Sequence, residues 1–412
     1  MAGADTREKS MAEYELVVRG GTLADGTGGA LREADVAITG GKIAAIGDLR
    51  GAGREEIDAK GLLVTPGFVD IHTHYDGQAS WDSQLAPSSW HGVTTVVMGN
   101  CGVGFAPVRA GDHDRLISLM EGVEDIPGAA LHEGLAWNWE SFGDYLDALE
   151  RRPHDIDLCA QLPHGALRVY VMGERGAALE PATEADREAM RRLAAEAMRA
   201  GALGFSTSRT LNHRTATGDP TPSLRASEAE LMAIAQGLAD AGSGVIEVIT
   251  DFNQPDAETE FGMLRRLVSG SGRPLSFSLA QAGNHWSGWR KLLAMLEEAA
   301  RDGLPIRGQV APRPIGLLLG LQATLNPFAA HETFAAIKDK SLAEKLRTLR
   351  DPAFRDRLFA ETDARQSHPL ARRVMAFDQI FSLGDPPDYE PPRDQAIARI
   401  ADREGRPAQA VA

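Results

Sequence analysis

The stretch GFVDIHTHYDG, residues 67–77, decides how the chain is read. It follows LLVTP and runs through Phe68, Val69 and Ile71 into two histidines, His72 and His74. In a strand, residues i and i+2 point to the same face. The spacing therefore predicts a strand over 67–74 that presents both imidazoles together, with Thr73 opposite. Two neutral imidazoles at the end of an apolar strand make half of a metal site. The plainer alternative is a pair of polar residues closing a strand.

Downstream, short apolar runs alternate with long amphipathic stretches, the pattern of βα units and a parallel sheet. Seven strands are expected, over 67–74, 93–100, 156–164, 203–208, 244–251, 274–281 and 305–312. The segments TEADREAMRRLAAEAMRAG and ASEAELMAIAQGLADAG open on Thr or Ser with acidic residues behind and close on Gly, as helix caps do. Seven strands with helical crossovers predict a TIM-like (β/α) barrel with its chemistry at the C-terminal strand ends. Polar residues cluster at those ends: His72 and His74, Asn100 and Cys101, His164, Ser206 to Arg209, Asp251, Gln281 and Arg313.

Upstream, residues 13–66 are short apolar runs between Gly-rich turns and read as a small antiparallel β-sheet (sandwich) domain. Residues 1–12 read as a disordered tail, 67–318 as the barrel, and 319–412 as a helical insertion or tail. No eighth apolar strand is visible, so the barrel is expected to be incomplete, with open edges that invite association, a homo-oligomer included.

The 412 residues are 43% hydrophobic, enough for a sizeable core, and their net charge of −15 disfavours nucleic acid and anionic membranes as partners. Two cysteines, Cys101 and Cys159, exclude a disulfide framework and suit a reducing compartment. The polar opening MAGADTREKSMAEYE lacks an apolar stretch, so no signal peptide and a cytoplasmic location are expected.

PGFVDIHTHYD resembles the first-strand signature of the amidohydrolase superfamily, and SSWHGVTTVVMGNCGVGFAPV is similar to the second-strand region of its D-aminoacylase (N-acyl-D-amino-acid deacylase) group. LPHGALR and AGALGFSTS extend the resemblance in the same order. The resemblance implies a zinc-dependent barrel, with one or two Zn²⁺, in which His72, His74 and Cys101 are ligands. A thiolate binds zinc tightly, and binding deprotonates it. A lone buried Cys is otherwise a small hydrophobe, which is the reading for Cys159.

The group's further histidines from strands 5 and 6 would fall at Ile249 and near Leu279, and neither can bind metal. Strand 4 has no lysine to bridge two metals. The group's general-base aspartate comes from strand 8, for which Asp251 is the nearest substitute as catalytic residue. Glu247, deeper on the same strand, must be paired if buried. His164, Arg209, His213, Arg214 and Arg313 are the candidates for substrate binding, because an N-acyl amino acid has a free carboxylate that Arg grips bidentately. His285 and Trp286 are candidates for the mouth lining.

The implied reaction is metal-dependent hydrolysis of a C–N bond, the deacylation of an N-acyl-D-amino acid. A hydantoinase-like cyclic amide hydrolase and a non-catalytic chain of the same fold are the alternatives.

Overall fold

The computed structural model describes residues 12–252, 257–280, 288–312, 316–323, 325–365 and 374–412. They fall into two units, Met1–Val310 and Ala311–Ala412.

The first sheet starts with β1 (Tyr14–Leu23), whose inward residues Val17 and Leu23 are buried. It continues with β2 (Arg32–Thr39), β3 (Lys42–Gly47), β4 (Gly53–Asp58) and β5 (Leu63–Val64). β1–β2 and β2–β3 are antiparallel, whereas β4 and β5 both run parallel to β1. The sheet is therefore mixed, not antiparallel throughout as the turns suggested. After β3 the chain crosses back and lays β4 on the free side of β1. Arg19 holds this crossing, donating to Asp35, Glu56 and the carbonyls of Leu49 and Gly51.

The second sheet has seven strands: β6 (Phe68–Asp70), β7 (Val93–Met98), β8 (Asp157–Pro163), β9 (Gly204–Arg209), β10 (Val245–Thr250), β11 (Leu275–Ser278) and β12 (Ile306–Gln309). Their spatial order is their chain order, and every neighbouring pair is parallel. The crossovers carry α1 (His113–Glu124), α2 (Gly128–Gly134), α3 (Phe142–Glu150), α4 (His164–Met172), α5 (Glu174–Ala177), α6 (Glu184–Ala200), α7 (Glu228–Ala241), α8 (Ala257–Ser271) and α9 (Gly288–Arg301). This is the (β/α) winding expected of a TIM-like barrel, as an open, curled sheet of seven strands among the described residues.

Central strands are covered on both faces. All of Gly204–Ser208 is buried, which is why β9 reads as a continuous run and not as an alternation. The caps fall where the sequence put them: Thr183 and Asp186 form a capping box on α6, and the Ser227 hydroxyl accepts from Glu230 N–H on α7. One continuous core joins the strands to the helices, with Val96, Met98, Phe205, Val248 and Phe277 at its centre.

The strand expected over 67–74 pairs as a ladder only over Phe68–Asp70. β6 and β12 are the edges of the sheet, yet their C-terminal ends meet through a 2.9 Å hydrogen bond between His72 Nδ1 and Gln309 Oε1.

The second unit spans Ala311–Ala412. It is helical over Glu332–Ala335, Leu342–Leu349, Pro352–Arg365, Ile397–Glu404 and Ala408–Val411. Its own core contains Phe328, Phe334, Ile337 and Phe354. A cavity of about 770 Å³ within this unit, lined by Leu317, Phe328, Val374 and Phe381 among others, holds none of the described candidate residues. No described helix is long and apolar enough to cross a membrane.

Candidate metal centre

Asp70 closes β6 and accepts the His72 N–H at 3.2 Å. Thr73 is tied to β7: both its N–H and its hydroxyl donate to Val97 O, at 2.9 and 2.8 Å. With Thr73 turned that way, His72 and His74 project together, their ring centroids 5.4 Å apart. The i, i+2 parity read from the sequence thus survives although the ladder has ended.

Cys101 meets them from the turn after β7. Its φ of +56° lies in the left-handed region, unusual for a residue with a Cβ. The flanking glycines make the turn possible, since a Cβ at Gly99 would stand 2.2 Å from Gln161 O and one at Gly102 2.9 Å from Ser208 N. Asn100 clasps the neighbours, donating to Val97 O and Thr73 O and accepting from Gln161 Nε2. The Cys101 N–H donates to Glu247 Oε2 at 3.3 Å, and the Gly102 N–H to Ser206 Oγ at 3.0 Å. Four strands and the segment that follows β6 thus fix one thiol.

The result is a cluster in which one ligand atom each of His72, His74 and Cys101 lies within 4.8 Å of the others. His72 Nε2 is 3.2 Å and His74 Nε2 3.8 Å from Cys101 Sγ. Tetrahedral zinc, with Zn–N of about 2.0–2.1 Å and Zn–S of about 2.3 Å, separates such donors by about 3.6 Å, between the two observed values. Gln309 bonded to Nδ1 leaves His72 Nε2 as the donor facing the thiol, the orienting arrangement usual for metal-binding imidazoles.

The electrostatics point the same way. Burial pushes the Cys101 thiol well up, and the carboxylates of Glu124 and Glu247 push it further. Burial raises Asp76 to about 7 and Glu124 and Glu247 to about 8. Burial also holds His72 and His74 neutral, His74 well below its ordinary value. No Lys or Arg pairs with these three acids among the described residues. Buried polar atoms without a partner collect here: His74 Nδ1, Asp76 Oδ2, Glu124 Oε1 and Glu247 Oε1. Buried acids of this kind are ordinarily paired or coordinate a cation. The residues therefore fit a divalent metal of zinc's preferences.

Residues 55–410 match the model of the Amidohydrolase family. The chain belongs to the amidohydrolase family. It is 38% identical over 208 residues to an N-acyl-D-aspartate deacylase of Alcaligenes xylosoxydans xylosoxydans, covering 50% of this chain and 39% of that protein. A D-aminoacylase structure described for its binuclear metal centre superposes with a TM-score of 0.60 at 30% identity, over 73% of this chain and 59% of that one. An N-acyl-D-glutamate deacylase from Bordetella bronchiseptica, complexed with zinc and a phosphonate inhibitor, superposes with a TM-score of 0.57 at 26% identity, over 73% and 59%. The amidohydrolase chain thus spans less than two thirds of the length of these relatives.

Not every candidate of this amidohydrolase reaches the cluster. His164 opens α4 and turns away from it: Nδ1 meets Thr207 Oγ1 at 2.8 Å and Nε2 meets Glu230 Oε1 at 3.0 Å, all fully buried. Arg209 is paired bidentately with Glu260. Strand parity explains both. Ser206 and Ser208 face the cluster side, so Thr207 and Arg209 face the helices.

Asp251 accepts from Thr210 Oγ1 at 2.6 Å and from Leu211 N–H at 2.7 Å, so it anchors the loop after β9. That loop brings His213 beside the cluster, with Nδ1 3.0 Å from Ser208 Oγ. Burial, with His72 adding to it against the pull of Asp251, lowers His213 to about 4. Arg214 is exposed and donates to Gly218 O. Ile249 and Leu279 pack against the core as their side chains require. Gln281, His285, Trp286 and Arg313 lie outside the described residues.

Two acids at the site escaped the sequence reading. Asp76 shares parity with His72 and His74, a signal that was available in HTHYD. Glu124 ends α1, far from any strand, and nothing local marks it.

Proposed function

We propose that the chain is a metal-dependent hydrolase of C–N bonds that removes the acyl group from N-acyl-D-amino acids. The convergence of two imidazoles and one thiol at the strand ends carries this reading. His72, His74 and Cys101 would hold the cation. When bound there, zinc acts as a Lewis acid toward an acyl carbonyl and makes water acidic enough to attack near neutral pH.

The chain's own residues supply the rest. His213 is neutral at pH 7, and Ser208 on Nδ1 leaves Nε2 as the atom that takes a proton and returns it to the leaving amine. Asp251 acts through the loop as a positioning residue, since its carboxylate is spent on Thr210 and Leu211. Arg214, with no carboxylate partner among the described residues, is the side chain for the substrate's free carboxylate. Arg209, held by Glu260, is not available for that role without breaking its pair.

The experiment is turnover of N-acyl-D-aspartate, N-acyl-D-glutamate and neutral N-acyl-D-amino acids, with their L-forms, by the zinc-loaded chain. Release of free amino acid from D-forms is expected. A folded, zinc-loaded chain that releases none from any of them would sink the deacylase reading. His213→Gln should lower kcat by about 100-fold, the modest end of proton-transfer contributions, with zinc content unchanged. Steady-state kinetics beside elemental analysis checks both halves.

A further inference from the structure

Zinc that activates water keeps a position open for it beside its protein ligands and can expand to five donors; His72, His74 and Cys101 provide three. The geometry points to Glu124 as a fourth protein ligand of the cation, a donor from a helix end in place of the strand positions that Ile249 and Leu279 cannot serve. This inference rests on the metal reading above and extends it.

Helix α1 stops at Glu124, because Asp125 follows in the left-handed region with its N–H on Glu121 O. Glu124 is thereby left at the end of the helix with its carboxylate buried against the cluster. Glu124 Oε2 is 3.1 Å from His74 Nε2, the same nitrogen that faces Cys101 Sγ at 3.8 Å. For Zn–N and Zn–O bonds of about 2.0–2.1 Å, two tetrahedral donors stand about 3.3 Å apart. The His74–Glu124 edge fits that figure as the sulfur edges fit theirs.

The rival role for Glu124 is to orient His74 from outside the centre. An orienting carboxylate occupies the ring nitrogen that points away from the metal. Glu124 does the reverse: it meets Nε2 on the thiol side, while His74 Nδ1 is buried without a partner. Its second oxygen, Oε1, is also buried and unpartnered. Glu247 is a weaker choice, since its Oε2 is committed to the Cys101 N–H and positions the turn.

The test is titration of the purified chain and its E124Q and E124H variants with Co²⁺, read by visible absorption and equilibrium dialysis, with circular dichroism to confirm folding. Wild type should bind Co²⁺ with a thiolate charge-transfer band. E124Q should bind at least about tenfold more weakly and keep that band, since Cys101 is untouched. Cobalt in E124H should give a shifted d–d spectrum, because nitrogen replaces oxygen. Wild-type affinity and an unshifted spectrum in either folded variant overturn the assignment of Glu124 and leave the three-donor centre standing. A folded wild type that takes up no Co²⁺ overturns both.

Discussion

Cys101→Ala is expected to reduce zinc affinity by more than about 100-fold and to bring hydrolysis to background, while the fold persists. Changing a residue that only orients a metal ligand already costs about 10- to 100-fold, and Cys101, whose Sγ faces Nε2 of both histidines, is proposed as a ligand itself. Without a cation the thiol is protonated, held so by burial and by Glu124 and Glu247. It then behaves as a small apolar group, and its truncation costs on the order of 1 kcal/mol. Elemental analysis and a thermal melt of the same sample separate the two effects. Retained zinc with retained turnover would remove the thiol from the centre.

The second large effect lies outside the site. Glu230→Gln should destabilise the chain by about 3–5 kcal/mol, because it leaves Arg168 as a buried charge without its counter-ion. Both side chains are about 1% exposed, so solvent does not soften the loss. Burial alone would raise Glu230; the His164 hydrogen bond and the Arg168 charge outweigh it and hold the carboxyl at about 2. The sign follows from that depression. The group's stabilisation is complete above its unfolded value of about 4.5 and is lost as pH falls toward 2. The depression corresponds to about 3 kcal/mol, in line with the mutational figure. Chemical denaturation from pH 7 to 3 should therefore show a steep acid loss in wild type and a shallower one in Glu230→Gln. The double change Arg168→Met with Glu230→Gln should recover part of the stability, because no buried charge is then stranded. Zinc affinity should be untouched in all of these, which sets the His164–Glu230–Arg168 group apart from the metal centre.

The fold was legible because its signals are local and periodic. β7 to β10 lie within two residues of their expected ends, β11 and β12 stop three residues early at Ser278 and Gln309, and β6 ends earlier still, at Asp70. The helix caps at Thr183 and Ser227 were also readable. The direction of β4 and β5 was not, since strand pairing across a crossover leaves no mark in either strand.

At the cluster, parity predicts that His72 and His74 project together, as their rings do, and the family resemblance points to Cys101, whose thiol lies beside them. The same parity rule, applied to β9, would have sent Arg209 to the helical side. His164 stood at a strand end, but it is the first residue of α4 and its ring follows the helix into the layer shared with Glu230. Asp251 lay on the expected strand end, yet only the structure gives its partners in the loop at Thr210 and Leu211. Glu124 could not be found from sequence, because its approach to His74 depends on how α1 docks and not on any pattern within it.

The most direct test of a centre built on His72, His74 and Cys101 is zinc K-edge X-ray absorption on the purified, zinc-loaded chain. One sulfur at about 2.3 Å together with nitrogen and oxygen neighbours at about 2.0–2.1 Å, the sulfur vanishing in Cys101→Ala, is the expected result. A wild-type spectrum with only nitrogen and oxygen around zinc, or a folded chain that retains no zinc, would contradict it.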